Sequence, residues 1–122
     1  MSQINRKART REYKKTPRPA GVYRIRNSVT GKSLIGSTTD LPGMLNRQRF
    51  QLENGSHPDT ELQRDWDELG SESFEFEALD TLKPKDDPAY DPTEDLRVLQ
   101  QMWFEKLTAS GESLYAQSRR GT

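Results

Sequence analysis

Between Gly21 and Gly36 the chain reads GVYRIRNSVTGKSLIG, in which Val22, Arg24 and Arg26 alternate with Tyr23 and Ile25. Asn27 to Gly31 then supply turn chemistry before Lys32 to Gly36 return, so the stretch predicts a β-hairpin. Past it the period lengthens. Leu41, Leu45, Gln48 and Leu52 recur at helical spacing behind Asp40 as N-cap, with Pro42 in the first turn and Asn54-Gly55 ending the run after Glu53. Pro58 and Asp59 open a second helix with Leu62, Trp66 and Leu69 on one face and Gly70 as its stop. Ser73 to Leu79 reverts to period two, Phe74 and Phe76 facing one way and Glu75 and Glu77 the other, which predicts a third strand with one wet face. The segment TLKPKDDPAYDPTED, with three prolines and five acids, reads as a surface loop. A third helix starts near Thr93, carries Leu96, Leu99, Trp103 and Leu107, and stops by Gly111, after which Leu114-Tyr115 adds a last pairing. The predicted architecture is α+β: a small three-stranded antiparallel sheet flanked by about three helices, in the order ββααβα. Its expected core gathers Leu62, Trp66, Phe74, Phe76, Leu99 and Trp103.

Composition adds limits to this picture. With 122 residues, 30% hydrophobic and 31% charged, the chain makes one domain with a thin core under a heavily solvated shell. There is no cysteine, which removes disulfides and thiolate metal sites. No apolar run approaches a membrane span and the start MSQINRKARTR lacks a signal-peptide core, so a cytoplasmic location and no membrane contact are expected. The formal charge of zero hides an asymmetry, because residues 1–18 hold seven basic side chains against Glu12 alone, a net of +6 that leaves −6 on the remainder. Residues 1–19 read as a flexible basic arm closed by Pro17 and Pro19, residues 20–116 as the domain, and residues 117–122 as a polar tail.

Gly21-Val22-Tyr23 and Leu34-Ile35-Gly36 stand where the GIY-YIG nuclease superfamily carries its two name-giving tripeptides. The sequel Gly36-Ser37-Thr38, Leu52-x-x-Gly55-x-His57, Leu62-Gln63-x-x-Trp66-x-x-x-Gly70 and Phe74-x-Phe76 resembles the phage and intron branch of that family across residues 20–116. The resemblance implies a nuclease that cuts one DNA strand with one divalent metal. It also implies which positions should do the work. A tyrosine in the first tripeptide is expected at Tyr23 and is present, but the second tyrosine position holds Leu34. The first-helix arginine position holds Met44 and the histidine that often follows holds Gln48. Of the neighbours Arg47 and Arg49, displaced by about 300° and 500° around the helix, only Arg47 leans to the same side. The metal-binding glutamate, one turn before Trp103, is replaced by Gln100, and the late asparagine by Ala116. A glutamine amide offers one neutral oxygen where Mg²⁺ demands anionic oxygen. His57 matches a frequent family histidine and also suits an ordering role in its turn.

Scaffold text kept and metal-site text lost is the pattern of a pseudo-nuclease: no functional catalytic set, no metal, and Mg²⁺ only if an active endonuclease with a rearranged site is the right alternative. What remains is binding. One expectation is a phage-type inhibitor or adaptor that occupies a host nuclease or nucleic-acid-handling defence complex, favoured by the −6 body. The other is a DNA-binding module in which Arg6, Lys7, Arg9, Arg11, Lys14 and Lys15 of the arm track phosphates while Arg24, Arg26, Lys32, Arg47 and Arg49 rest on the duplex.

Overall fold

A computed structural model describes residues 19–83, 87 and 89–116. Strand β1 (Gly21–Asn27) and strand β2 (Ser33–Thr38) pair antiparallel, Tyr23 opposite Gly36 and Ile25 opposite Leu34. Asn27 builds the turn between them: its side-chain Oδ1 accepts from the backbone N–H groups of Val29 and Thr30, and Gly31 takes the positive φ of 79° that closes it. Helix α1 (Leu41–Glu53) begins where Asp40 Oδ1 accepts from Gly43 N at 3.1 Å, and helix α2 (Thr60–Leu69) where Asp59 Oδ1 accepts from Leu62 N at 3.1 Å. A 3₁₀ turn (Ser71–Ser73) leads into strand β3 (Phe74–Thr81), and helix α3 (Thr93–Ala109) follows the acidic loop. The sheet order is β2-β1-β3, with β1 at the centre and β3 antiparallel to it. The element order ββααβα is the expected one.

Period two sends Tyr23, Ile25, Leu34, Phe74 and Phe76 to one face of the sheet. There they meet Leu41 and Leu52 of α1 and Leu62 and Trp66 of α2 in a single cluster. Trp66 packs against Phe74 with ring centroids 5.3 Å apart and edge-on against Phe76 at 6.1 Å. The other face, with Val22, Arg24, Arg26 and Ile35, lies under α3. Leu96, Gln100 and Leu107 are the buried positions of that helix. The single core expected around Leu99 and Trp103 is therefore two layers split by the sheet. Leu99 and Trp103 are half-buried on the α3 side, and the Trp103 indole donates to Asp80 Oδ2 at 3.1 Å instead of meeting Trp66. Leu69, expected inward on α2, is 37% exposed.

Two further features depart from simple alternation. β3 runs on to Thr81 through a bulge, since Val22 pairs with Asp80 and Tyr23 with Ala78, leaving Leu79 as the extra residue. Leu114 makes a parallel bridge to Ser33, and the fully buried Tyr115 donates its hydroxyl to Asp65 Oδ2 at 2.7 Å while accepting from Asn27 Nδ2 at 3.2 Å. That hydroxyl ties β1, α2 and the C-terminal segment together, and burial raises its pKa strongly. No helix among the described residues is long and apolar enough to cross a membrane.

Candidate functional site: a carboxylate-free cleft beside the hairpin

The first face of the sheet opens into a cleft of about 350 Å³ at the end of β1 and β2 where α1 and the turn before α2 converge. Tyr23 lies across Gly36: a Cβ built on Gly36 would stand 2.4 Å from the tyrosine oxygen. The glycine of the second tripeptide is thus the space that the tyrosine ring of the first occupies. Burial pushes the Tyr23 hydroxyl up to about 12, with the charge of Arg47 opposing the shift. At neutral pH the group is a proton donor, far from the phenolate that a general base needs.

Helix α1 presents Met44, Arg47, Gln48 and Gln51 to the same cleft, and His57 and Pro58 close it. His57 is buried and fully engaged. Its Nδ1 accepts from the backbone N–H of Asp59 at 3.0 Å, which leaves the proton on Nε2 to be donated to Gln48 Oε1 at 2.5 Å. Gln48 Nε2 in turn reaches Met44 Sδ at 3.4 Å. The backbone N–H of His57 donates to Gln63 Oε1, and Gln63 Nε2 donates to the carbonyl of Leu52 and to Asp67 Oδ1. Desolvation lowers the His57 pKa, with Asp59 partly opposing it. The imidazole is a neutral clamp joining α1 to the start of α2, with both nitrogens in use.

Five of the singled-out positions, Tyr23, Leu34, Met44, Gln48 and His57, therefore converge on one cleft, while Gln100 and Ala116 do not line it. Leu34 is 3% exposed and belongs to the core cluster, so hydrocarbon packing fills the position where a hydroxyl is expected. Gln100 is buried on the α3 layer, and Ala116 is exposed after Tyr115. None of the cleft residues is a carboxylate, and no group of three His, Cys, Asp or Glu residues able to hold a metal occurs among the described residues. A divalent cation needs several oxygen ligands, commonly carboxylates. The lining of this cleft supplies no carboxylate oxygen for one.

The cations expected on a duplex-binding face do not share a face. Arg24 and Arg26 point to the α3 side, opposite Tyr23, and Arg24 is committed to Glu77 at 2.7 Å and Glu112 at 3.3 Å. Lys32 pairs with Glu61 at 2.5 Å and lies over the Tyr115 ring, and Arg49 stacks on Phe76 at 4.3 Å. Only Arg47 of that set reaches the cleft. Arg6, Lys7, Arg9, Arg11, Lys14 and Lys15, with the rest of residues 1–18 and the proposed tail at residues 117–122, lie outside the described residues. Gln51, Pro58 and the amide chain through Gln63 were missed as site elements, although Gln63 stands in the Leu62-Gln63 motif and His57 lies two residues before a capping aspartate.

No protein-family model and no curated protein matches the sequence. Among solved structures, the catalytic domain of intron endonuclease I-TevI in a mutant form superposes with a TM-score of 0.63 at 24% identity, covering 80% of this chain and 91% of that one. The catalytic domain of homing endonuclease I-TevI gives a TM-score of 0.61 at 23% identity, covering 77% and 94%. These likenesses show the fold: with its three-stranded antiparallel sheet in the order β2-β1-β3 and three helices, this chain has the fold of the I-TevI endonuclease catalytic domain.

Proposed function

We propose that this chain is a catalytically degenerate GIY-YIG-fold protein that acts by binding, as an inhibitor or adaptor of a nuclease or of another nucleic-acid-handling protein complex. The observation that carries the reading is the acid-free cleft: Leu34, Met44 and Gln48 stand at three of its chemical positions, and Tyr23 is held in its neutral form. Phosphoryl transfer draws most of its acceleration from positioned charge and metal, so a site with neither an anionic ligand set nor its arginine has little left to accelerate with. A protein partner is favoured over free duplex because the folded body is net negative and its Arg24, Lys32 and Arg49 are occupied by its own acids and rings.

The experiment is a nicking assay on supercoiled and linear DNA with Mg²⁺ or Mn²⁺, run beside calorimetric titration of either metal. The expected result is intact DNA and no specific heat. Metal-dependent nicking that disappears in Tyr23→Phe would overturn the reading. Gln100→Glu alone is expected to restore nothing, since the parts of such a site act as a unit.

A further inference from the structure

The most exposed large apolar side chain among the described residues is an aromatic ring on α1, Phe50, 65% open. It follows Arg47 by three residues, which sets the two side chains about 60° apart around the helix and one turn apart along it. Arg47 is itself exposed, enters none of the ion pairs among the described residues, and borders the cleft together with Gln51. Around α1 from the buried stripe of Leu41, Gln48 and Leu52, the order is cleft, Arg47, Phe50.

An open aromatic face beside an unpaired guanidinium, at the mouth of a cleft without carboxylates, matches the two parts of a nucleotide unit. Bases of every sequence stack on an aromatic face, and a guanidinium takes the adjoining phosphate. A duplex would need a row of cations along its backbone, whereas Arg24, Lys32 and Arg49 are committed to the body's own acids and rings and Arg26 faces the α3 side of the sheet. One stacking face with one phosphate contact suits a flexible single strand. We infer that α1 carries a contact for single-stranded nucleic acid, with a base stacked on Phe50 and the neighbouring phosphate held by Arg47 at the cleft mouth. This rests on the proposal that the site binds without cutting.

The test is fluorescence anisotropy of a short labelled oligothymidylate with the full chain in EDTA. Phe50→Ala should weaken binding roughly tenfold, and Arg47→Ala should lower the salt slope by about 0.7. Both side chains are exposed, so unchanged thermal melts are expected for both variants. Phe50→Trp keeps the stacking face and should hold wild-type affinity, with added fluorescence that is quenched by the oligonucleotide. Equal affinity of wild type and Phe50→Ala, an unquenched Phe50→Trp, absence of binding, or equal competition by a duplex of the same length would each overturn the inference. Thymidine monophosphate competing nucleotide for nucleotide would replace the strand by a free nucleotide and overturn it as well. Cleavage of the oligonucleotide on adding Mg²⁺ would instead sink the binding-only reading, whatever the Phe50 dependence in EDTA.

Discussion

Protonating His57 would set an N–H against an N–H, because the ring nitrogen that gains the proton is the one that accepts from Asp59. Burial holds its folded pKa below the ordinary 6.5, with Asp59 partly opposing the shift. As pH falls through 6.5 the unfolded chain takes up the proton first, so the contribution of neutral His57 is complete above 6.5 and is lost progressively below it. His57 is the sole histidine. Urea midpoints at about pH 7.5 and about pH 5.5 should therefore differ in the wild type, and the difference should shrink in His57→Gln; an equal difference in both proteins would refute the clamp. At this scale the motif spacing located Tyr23, Gln48 and His57, since each is placed by a strand or cap that local chemistry sets. The facing of Arg24 was equally legible from its alternation with Tyr23, yet grouping cations by sequence proximity put it on the wrong side. The partners Glu77 and Glu112 come from distant segments, which no local pattern announces.

Helix limits were readable because caps are local: Asp40, Asp59, Gly55 and Gly70 act where the residue types say they should. Periodicity states which face of α3 turns inward, but not which face of the sheet it meets, and that is why Leu99 and Trp103 were assigned to the wrong layer. The bulge at Leu79 was equally silent, as a single inserted residue only shifts the alternation that marks a strand. Its tightest neighbour is Gly21. A Cβ there would stand 2.0 Å from the Asp80 carbonyl oxygen and 2.8 Å from Thr81 Cα, both backbone atoms that cannot step aside. Gly21→Ala should cost about 1–3 kcal/mol through overpacking at the β1–β3 join, read as a lower urea midpoint at unchanged slope. A midpoint equal to wild type would mean that the strands separate there without cost.

The charge of the molecule is arranged in two blocks, +6 on residues 1–18 and −6 on the rest. If a protein is the partner, affinity capture from the producing cell should retain it after nuclease treatment, and loss of every co-purifying protein would favour the DNA-binding reading. For any residual duplex binding, deleting residues 1–18 should flatten the salt dependence by about one unit per phosphate contact removed. The fold was legible at this scale because the spacing of glycines and aromatics resembles that of a known nuclease architecture, whose fold this chain has. What the cleft does was less so, because the five departures at Leu34, Met44, Gln48, Gln100 and Ala116 describe an absence, whereas Phe50 and Arg47 acquire meaning only once α1 is placed beside the hairpin.

The central position of β1 also sets an order of assembly. Its pairing with β2 needs only the closure of a short turn, whereas Asn27 meets Phe74 and Gly21 meets Thr81 only after both intervening helices have been gathered in. The hairpin is thus the local event of folding and the docking of β3 the remote one. Until β3 arrives, the β3-side backbone donors and acceptors of Gly21–Asn27 form an open edge, the kind of surface on which a second unfinished chain can pair. The strand that organises the finished domain is, during folding, its most exposed template.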